Sequence, residues 1–209
     1  MGKKFFIVED HSLMRYGIAT WINENSDWEC AGMAQNKSEA MEKIKNIFEE
    51  NKETAFVVIA DITLDAQEYD YSGLELIKDL YAYAPDIKTI CFSMYKNPGV
   101  IQMALNNGAS GFMSKTGSEE ELLECMEAVL KGNKYVEKNL NSSVETYVQA
   151  VSSLTKREAA VLELILKHKN NGEIARVLNI QKRAVESYTS RIYDKTGCKN
   201  RNDLITFLG

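Results

Sequence analysis

The sequence predicts an α/β doubly wound parallel sheet of five strands, followed by a small all-α module of four helices. Three observations carry this. Through residues 1–131, short runs rich in apolar and β-branched residues alternate with stretches of helical periodicity, the order of a parallel sheet wound on both faces. One run, Ala55–Ala60 (AFVVIA), is apolar without interruption, as in a strand covered on both sides. Past residue 153 strand patterns cease and helical segments follow one another. At 209 residues, 44% hydrophobic and 26% charged, the chain has material for two packed cores.

In chain order, Lys4–Val8 reads as the first strand, and Leu13, Ile18, Trp21 and Ile22 recur at helical spacing after it. Trp28–Met33 is the second strand, and Ser38–Phe48 a helix with Ala40, Met41, Ile44, Ile47 and Phe48 on one face. Ala55–Ala60 is the third strand, and Leu74, Ile77, Leu80 and Tyr81 mark the next helix. Ile87–Phe92 is the fourth strand, Val100–Leu105 a helix and Ser110–Ser114 the fifth strand. Ser118 with Glu121 makes a capping box that opens a helix to about Leu130. Residues 132–152, with Gly132-Asn133 and Asn139–Ser143, read as a linker holding a helical stretch near Val144–Val151. The second domain, 153–209, starts with Thr155 as N-cap and Glu158 three residues on, for a helix to about His168. Asn171–Leu178, Gln181–Thr196 and Asn202–Leu208 complete it.

Residues 1–141 carry a net charge of −9 and residues 142–209 one of +4, within a whole-chain −5. An acidic front and a basic tail suit two separate tasks, and the tail is the part able to approach nucleic acid. No apolar run approaches the roughly 18–20 residues that span a bilayer, and the N-terminal apolar stretch is too short for a signal peptide. A cytoplasmic protein without membrane contact is therefore expected. Cys30, Cys91, Cys125 and Cys198 are scattered, and with only His11 and His168 beside them a zinc site is not expected; buried, reduced thiols are.

Doubly wound sheets place their sites beyond the carboxyl ends of the strands. Glu9 and Asp10 follow the first strand, Asp61 the third, Ser93 the fourth and Lys115 the fifth. Three carboxylates drawn together repel one another unless a cation neutralises them. Hard oxygen donors suit Mg²⁺, which retains waters and accepts a phosphate oxygen. A hydroxyl and an ammonium facing the same pocket are what a transferring phosphoryl group needs, with Asp61 as the nucleophile that becomes an acyl phosphate. Singly, each residue reads as a cap, a loop residue or a solvated charge; it is the set, at successive strand ends, that points to this chemistry.

The segments VEDHSLMRYGI (8–18), ADITL (60–64), FSM (92–94) and GASGFMSK (108–115) resemble the receiver domain of two-component response regulators. The His after the acidic pair and the R-x-G beyond it resemble the NarL/FixJ branch. The resemblance covers residues 3–131 and implies a flavodoxin-like receiver in which a sensor histidine kinase phosphorylates Asp61. It further implies that Glu9, Asp10, Asp61 and the Thr63 carbonyl hold Mg²⁺, that Ser93 engages the phosphate and that Lys115 pairs with it. Phe112, three residues before the lysine, stands where the family often has an aromatic that reorients on phosphorylation; it reads equally as core. The chain departs from the pattern after Asp61: Asp65 stands where a Pro is usual, and Gly73 arrives four residues late, behind a longer acidic loop (Asp65–Tyr71). The Pro usual after the lysine is replaced by Thr116-Gly117.

In the tail, Val161, Leu162, Ile165, Ile174, Leu178, Val185 and Ile192 supply a small core, and Asn179 suits a turn that needs a left-handed residue. The helix after it turns Val185, Tyr188 and Ile192 inward and shows Lys182, Arg183, Glu186, Ser187, Ser190, Arg191 and Lys195 outward. By composition alone that face reads as solvated. The pattern LTxREAAVL, EIAxxLxI, VxSY and KTGxxNRxDL resembles the LuxR-type helix-turn-helix, which implies binding to double-stranded DNA. Lys182, Arg183 and Lys195 would then contact phosphates, and Glu186, Ser187 and Ser190 would lie nearest the bases. Gln181 is a weaker N-cap than the family's usual Ser, and Glu186 stands where Lys is common.

The expected function is that of a response regulator: phosphoryl transfer to Asp61 modulates homodimerisation and sequence-specific DNA binding. No enzyme activity is expected beyond assistance to its own phosphorylation and dephosphorylation. The alternatives are a phosphorylation-independent DNA-binding or interaction protein and, ranked below it, a phosphohydrolase. The latter wants a second catalytic Asp where Thr63 stands.

Overall fold

The computed structural model describes residues 2–50, 55–64 and 71–208. Its elements run β1 (Lys3–Val8), α1 (Ser12–Asn25), β2 (Trp28–Ala34), α2 (Lys37–Glu50), β3 (Ala55–Asp61), α3 (Ser72–Tyr83), β4 (Lys88–Ser93) and α4 (Pro98–Asn106). They continue β5 (Gly111–Ser114), α5 (Glu119–Leu130), β6 (Tyr135–Val136), α6 (Asn141–Ser152), α7 (Lys156–Leu166), α8 (Asn171–Leu178), α9 (Lys182–Thr196) and α10 (Arg201–Leu208). The chain forms two compact units, one of residues 1–96 with 103–138, the other of 97–102 with 139–209.

The first unit carries a parallel sheet in the order β2-β1-β3-β4-β5-β6. Strand order reverses at β1, so the switch point lies between the ends of β1 and β3. Phe5, Ile7, Val57, Ile59, Ile90 and Met113 share one face and pack with Ala19 and Ile22 of α1 and Leu122, Cys125, Met126 and Val129 of α5. By the two-residue pleat, Phe6, Val8, Val58, Ala60, Cys91 and Phe112 turn to the opposite face, and all are buried. This double burial is why β3 reads as an unbroken apolar run.

The doubly wound architecture is as expected, with corrections. The sheet has six strands among the described residues, not five: Tyr135 and Val136 pair with Gly111 and Phe112. Within the stretch read as linker, residues 132–152, β6 is new, while α6 is the helix expected near Val144–Val151. Leu13, at helical spacing with Ile18, Trp21 and Ile22, is nevertheless 89% exposed in the first turn of α1. The longer acidic stretch at Asp65, Glu68 and Asp70 lies outside the described residues. All four cysteines are free, but Cys30 and Cys198 are only half-buried.

In the second unit Val161, Leu162, Ile165, Ile174, Val185, Ile192 and Leu204 form the core, with Leu178 and the α6 residues Tyr147 and Val151 packed against it. Five helices thus share this core where four were expected. Thr155 and Glu158 form the capping box of α7, and Asn170 with Glu173 forms a second on α8, which the sequence reading missed. At α5 the box is half made: Ser118 accepts from Glu121 N, while the Glu121 carboxylate accepts from Lys138 N. Helix α8 ends on Asn179 (φ 51°) with Ile180 N donating to Ala175 O and Asn179 N to Arg176 O, the paired bonds of a Schellman turn. His168 (φ 57°) closes α7 in the same manner. No described helix is long and apolar enough to cross a membrane.

Candidate functional site

Strand register assembles the acidic site. Val8 aligns with Ala60, Asp61 with Phe92, and Ser93 with Ser114, so Glu9, Asp61, Ser93 and Lys115 emerge at neighbouring ends of β1, β3, β4 and β5. Lys115 N donates to Ser93 O (2.9 Å), which extends the sheet one residue past β5 and starts the lysine side chain toward the switch point. Its ammonium lies 2.7 Å from Asp61 Oδ2 and 2.6 Å from Glu9 Oε2. The three groups are almost fully buried, with side chains 5%, 3% and 1% exposed. Thr63 Oγ1 donates to Asp61 Oδ2 (3.4 Å), and the buried Ser93 hydroxyl accepts from Tyr95 N (3.0 Å).

Burial opposes the charge on Lys115, yet the Asp61 and Glu9 carboxylates against its ammonium hold its pKa above the usual 10.5. Burial also pushes the Glu9 carboxyl above the ordinary carboxylate range, against the pull of Lys115. Glu9 Oε2 has the ion pair but no hydrogen bond. Asp10, half-buried, accepts at Oδ1 from His11 Nδ1 (2.7 Å), and this bond leads the rise of the His11 pKa. Glu9, Asp10 and His11 offer ligand atoms within 4.8 Å of one another.

Two residues given no role from sequence support this geometry. Arg15 donates to the carbonyls of Glu9 and Asp10 and so fixes the acidic turn; the R-x-G at 15–17 was its signal. Gly73 N donates to Ile62 O (2.9 Å), and a Cβ on Gly73 would fall 1.8 Å from Asp61 O. This glycine therefore abuts the backbone of the acceptor residue although it arrives four residues late in the sequence. Phe112 is fully buried on β5.

The donors here suit a hard divalent cation: two buried carboxylates against one buried ammonium, with Asp10 beside Glu9 and a buried Glu9 oxygen that has no hydrogen bond.

On α9, Lys182, Arg183, Glu186, Ser187, Ser190 and Arg191 are exposed, and Arg183, Ser187, Ser190 and Arg191 share a stripe at helical spacing. Val185 and Ile192 are buried beneath them, with Tyr188 partly so. The Arg191 guanidinium lies over the Tyr188 ring at 6.0 Å. Gln181 makes no side-chain cap, as its type suggests. The Lys195 ammonium is held by Glu158 Oε2 (2.7 Å) and Ser153 O (2.8 Å) and so braces the helix from within its own unit. That pair, with the Thr155 N–H, holds the Glu158 carboxyl down at about 2.

Residues 5–127 match the response regulator receiver domain family, and residues 152–208 match the bacterial regulatory proteins of the luxR family. The chain is similar to the oxygen regulatory protein NreC of Staphylococcus aureus (strain JH9), 27% identical over 216 residues covering 98% of this chain and 95% of NreC. Its fold is similar to RcsB in a structure of two RcsB dimers bound to two parallel DNAs (TM-score 0.75, 22% identity, 100% of this chain and 98% of that one). It is also similar to RcsB of Salmonella enterica serovar Typhimurium bound to promoter P1flhDC in the presence of phosphomimetic BeF3⁻ (TM-score 0.74, 22% identity, 100% and 98%).

Proposed function

Since the chain belongs to the response regulator receiver family and ends in a luxR-family region, we propose that phosphoryl transfer from a sensor histidine kinase to Asp61 controls its dimerisation and its binding to double-stranded DNA. It is a response regulator rather than an enzyme acting on a free substrate. The observation that carries the proposal is the convergence of Asp61, Glu9 and Lys115 within 2.7 Å contacts at the switch point of the sheet.

In this reading an Asp61 carboxylate oxygen attacks the phosphorus of a kinase phosphohistidine. A P–O bond forms, the P–N bond breaks, and the histidine leaves with its electron pair. Glu9, Asp10, Asp61 and the Thr63 carbonyl would hold Mg²⁺, which when bound neutralises charge on the phosphoryl oxygens. Lys115 exchanges part of its contact with Asp61 for a phosphoryl oxygen, and Ser93 turns its hydroxyl from the Tyr95 amide toward another. Phe112, buried at the outset, is the aromatic whose packing would follow Ser93. The modified form is then the one favoured to dimerise, a shift of population rather than a new fold.

DNA reading falls to residues 153–209. Lys182 and Arg183 would contact phosphates; Glu186, Ser187 and Ser190 would approach base edges, with Arg191 beside them. Lys195, occupied by Glu158, supports α9 rather than touching DNA. A dimer would address half-sites about 10 bp apart. The protein acts in the cytoplasm on this account. Phosphate-affinity electrophoresis after acetyl phosphate and Mg²⁺ tests the acceptor: a shifted band in the wild type that vanishes in Asp61→Asn supports it. No band in either, with unchanged DNA binding, supports a phosphorylation-independent regulator.

A further inference from the structure

We propose that Glu137, just past β6, is a positioning residue for Lys115: its carboxyl group fixes the turn Ser114–Gly117 and so aims the ammonium at Asp61. The proposal rests on the phosphoryl-acceptor reading above.

A glutamate is seldom fully buried without a partner, and Glu137 is 1% exposed. Its Oε2 accepts from Ser114 N at 2.6 Å. The reason lies in the sheet. Lys115 N points to β4, where Ser93 O receives it. The preceding amide, Ser114 N, points the other way, to the side of β6, which stops at Val136. A side-chain oxygen thus completes what a longer strand would have done with a carbonyl. Glu137 N in turn donates to Phe112 O (3.0 Å), which anchors the residue itself.

The carboxyl group also lies against the turn that follows Lys115. Gly117 N donates to Ser114 O (3.0 Å), and a Cβ on Gly117 would stand 3.0 Å from Glu137 Oε2. On either side of Glu137 the chain is tied to α5: Tyr135 OH donates to Glu121 (3.1 Å), and Lys138 N donates to the same carboxylate (2.7 Å). Glu137 is therefore held from both sides, and Ser114 with it. Lys115 is the next residue, and its two ion pairs at 2.6 and 2.7 Å leave little room for displacement. Where the usual proline after the lysine is missing, this buried bond supplies the rigidity.

The test compares phosphorylation of the full chain by acetyl phosphate and Mg²⁺ in the wild type, E137A, E137Q, and E137A combined with K115A. Misplacing a positioned group costs roughly tenfold or more in rate, so E137A should be slower by about that factor, while E137Q, which keeps an acceptor oxygen, should stay within about twofold. Because Glu137 acts through Lys115, E137A should add nothing in the K115A background. The Ser114 amide proton should lie far downfield in the wild type and move upfield in E137A. If E137A does not fold, E137D, one methylene short of Ser114 N, carries the same expectation. Equal rates in wild type and E137A, or a full further loss in the K115A background, overturn the proposal alone. A wild type that takes no phosphoryl group at all overturns the acceptor reading and the proposal with it.

Discussion

Lys115 and Asp61 meet 2.7 Å apart although β4 lies between their strands. The ammonium reaches across the end of β4 because Ser93, the last residue of that strand, is small and fully buried. Glu9 closes the triangle from β1 at 2.6 Å. Two buried carboxylates sharing one cation make a site whose stability and chemistry depend on the same atoms.

Removal of that cation should therefore be felt first in stability. Lys115→Met leaves Asp61 and Glu9 buried without their counter-charge, a change that costs about 3 kcal/mol when a buried pair is broken. Urea unfolding should show the loss without Mg²⁺ and a partial recovery at millimolar Mg²⁺, because the ion replaces the missing charge. An equal loss with and without Mg²⁺ would separate the lysine from the metal site.

Gly73 should tolerate no side chain. A Cβ there would meet Asp61 O at 1.8 Å, and forced overpacking costs about 1–3 kcal/mol or more. Gly73→Ala is expected to unfold at lower urea and to accept phosphate more slowly, with unaltered DNA affinity of the unphosphorylated form. Wild-type phosphorylation kinetics in this variant would show that the glycine is a bystander.

Glu158 sets an acid limit for the C-terminal unit. Its folded pKa of about 2 lies below the ordinary 4.5, chiefly through Lys195. A depressed carboxyl pKa adds stability that is complete above the unfolded value and fades as pH falls from about 4.5 toward 2. Glu158→Gln should therefore be less stable than wild type at pH 7 and equal to it near pH 2, followed by NMR at the Glu158 and Lys195 amides. A difference independent of pH would refute the ion pair as its source.

The two kinds of lysine on α9 should separate in DNA titrations. Lys182→Ala and Arg183→Ala should weaken binding across all sequences and each lower the salt slope by about 1. Lys195→Ala should leave the salt slope unchanged and lower the melting temperature instead. Glu186→Lys should tighten binding to non-target DNA, since it removes a charge that repels phosphate.

The fold and the five strand-end residues were legible because each rests on a long pattern: an unbroken apolar β3, a helical stripe, and an acidic pair, an aspartate, a serine and a lysine at successive strand ends. What was not legible depends on contacts between distant segments. Two residues of β6 carry no periodicity, and Glu137 looks like any charge in a linker until the sheet shows Ser114 N without a strand partner. Lys195 has the spacing of a DNA-facing residue, yet its long side chain reaches Glu158, 37 positions earlier. Leu13 has the type of a core residue but sits exposed in the first turn of α1.

The central claim is that charge placed on Asp61 changes how the protein associates. Light-scattering mass of the full chain, measured with Mg²⁺ and with or without beryllofluoride, tests it directly. The account predicts a mass near 23.6 kDa without the mimic, close to twice that with it, and no change in Asp61→Asn. A mass that is the same in all three samples would contradict it.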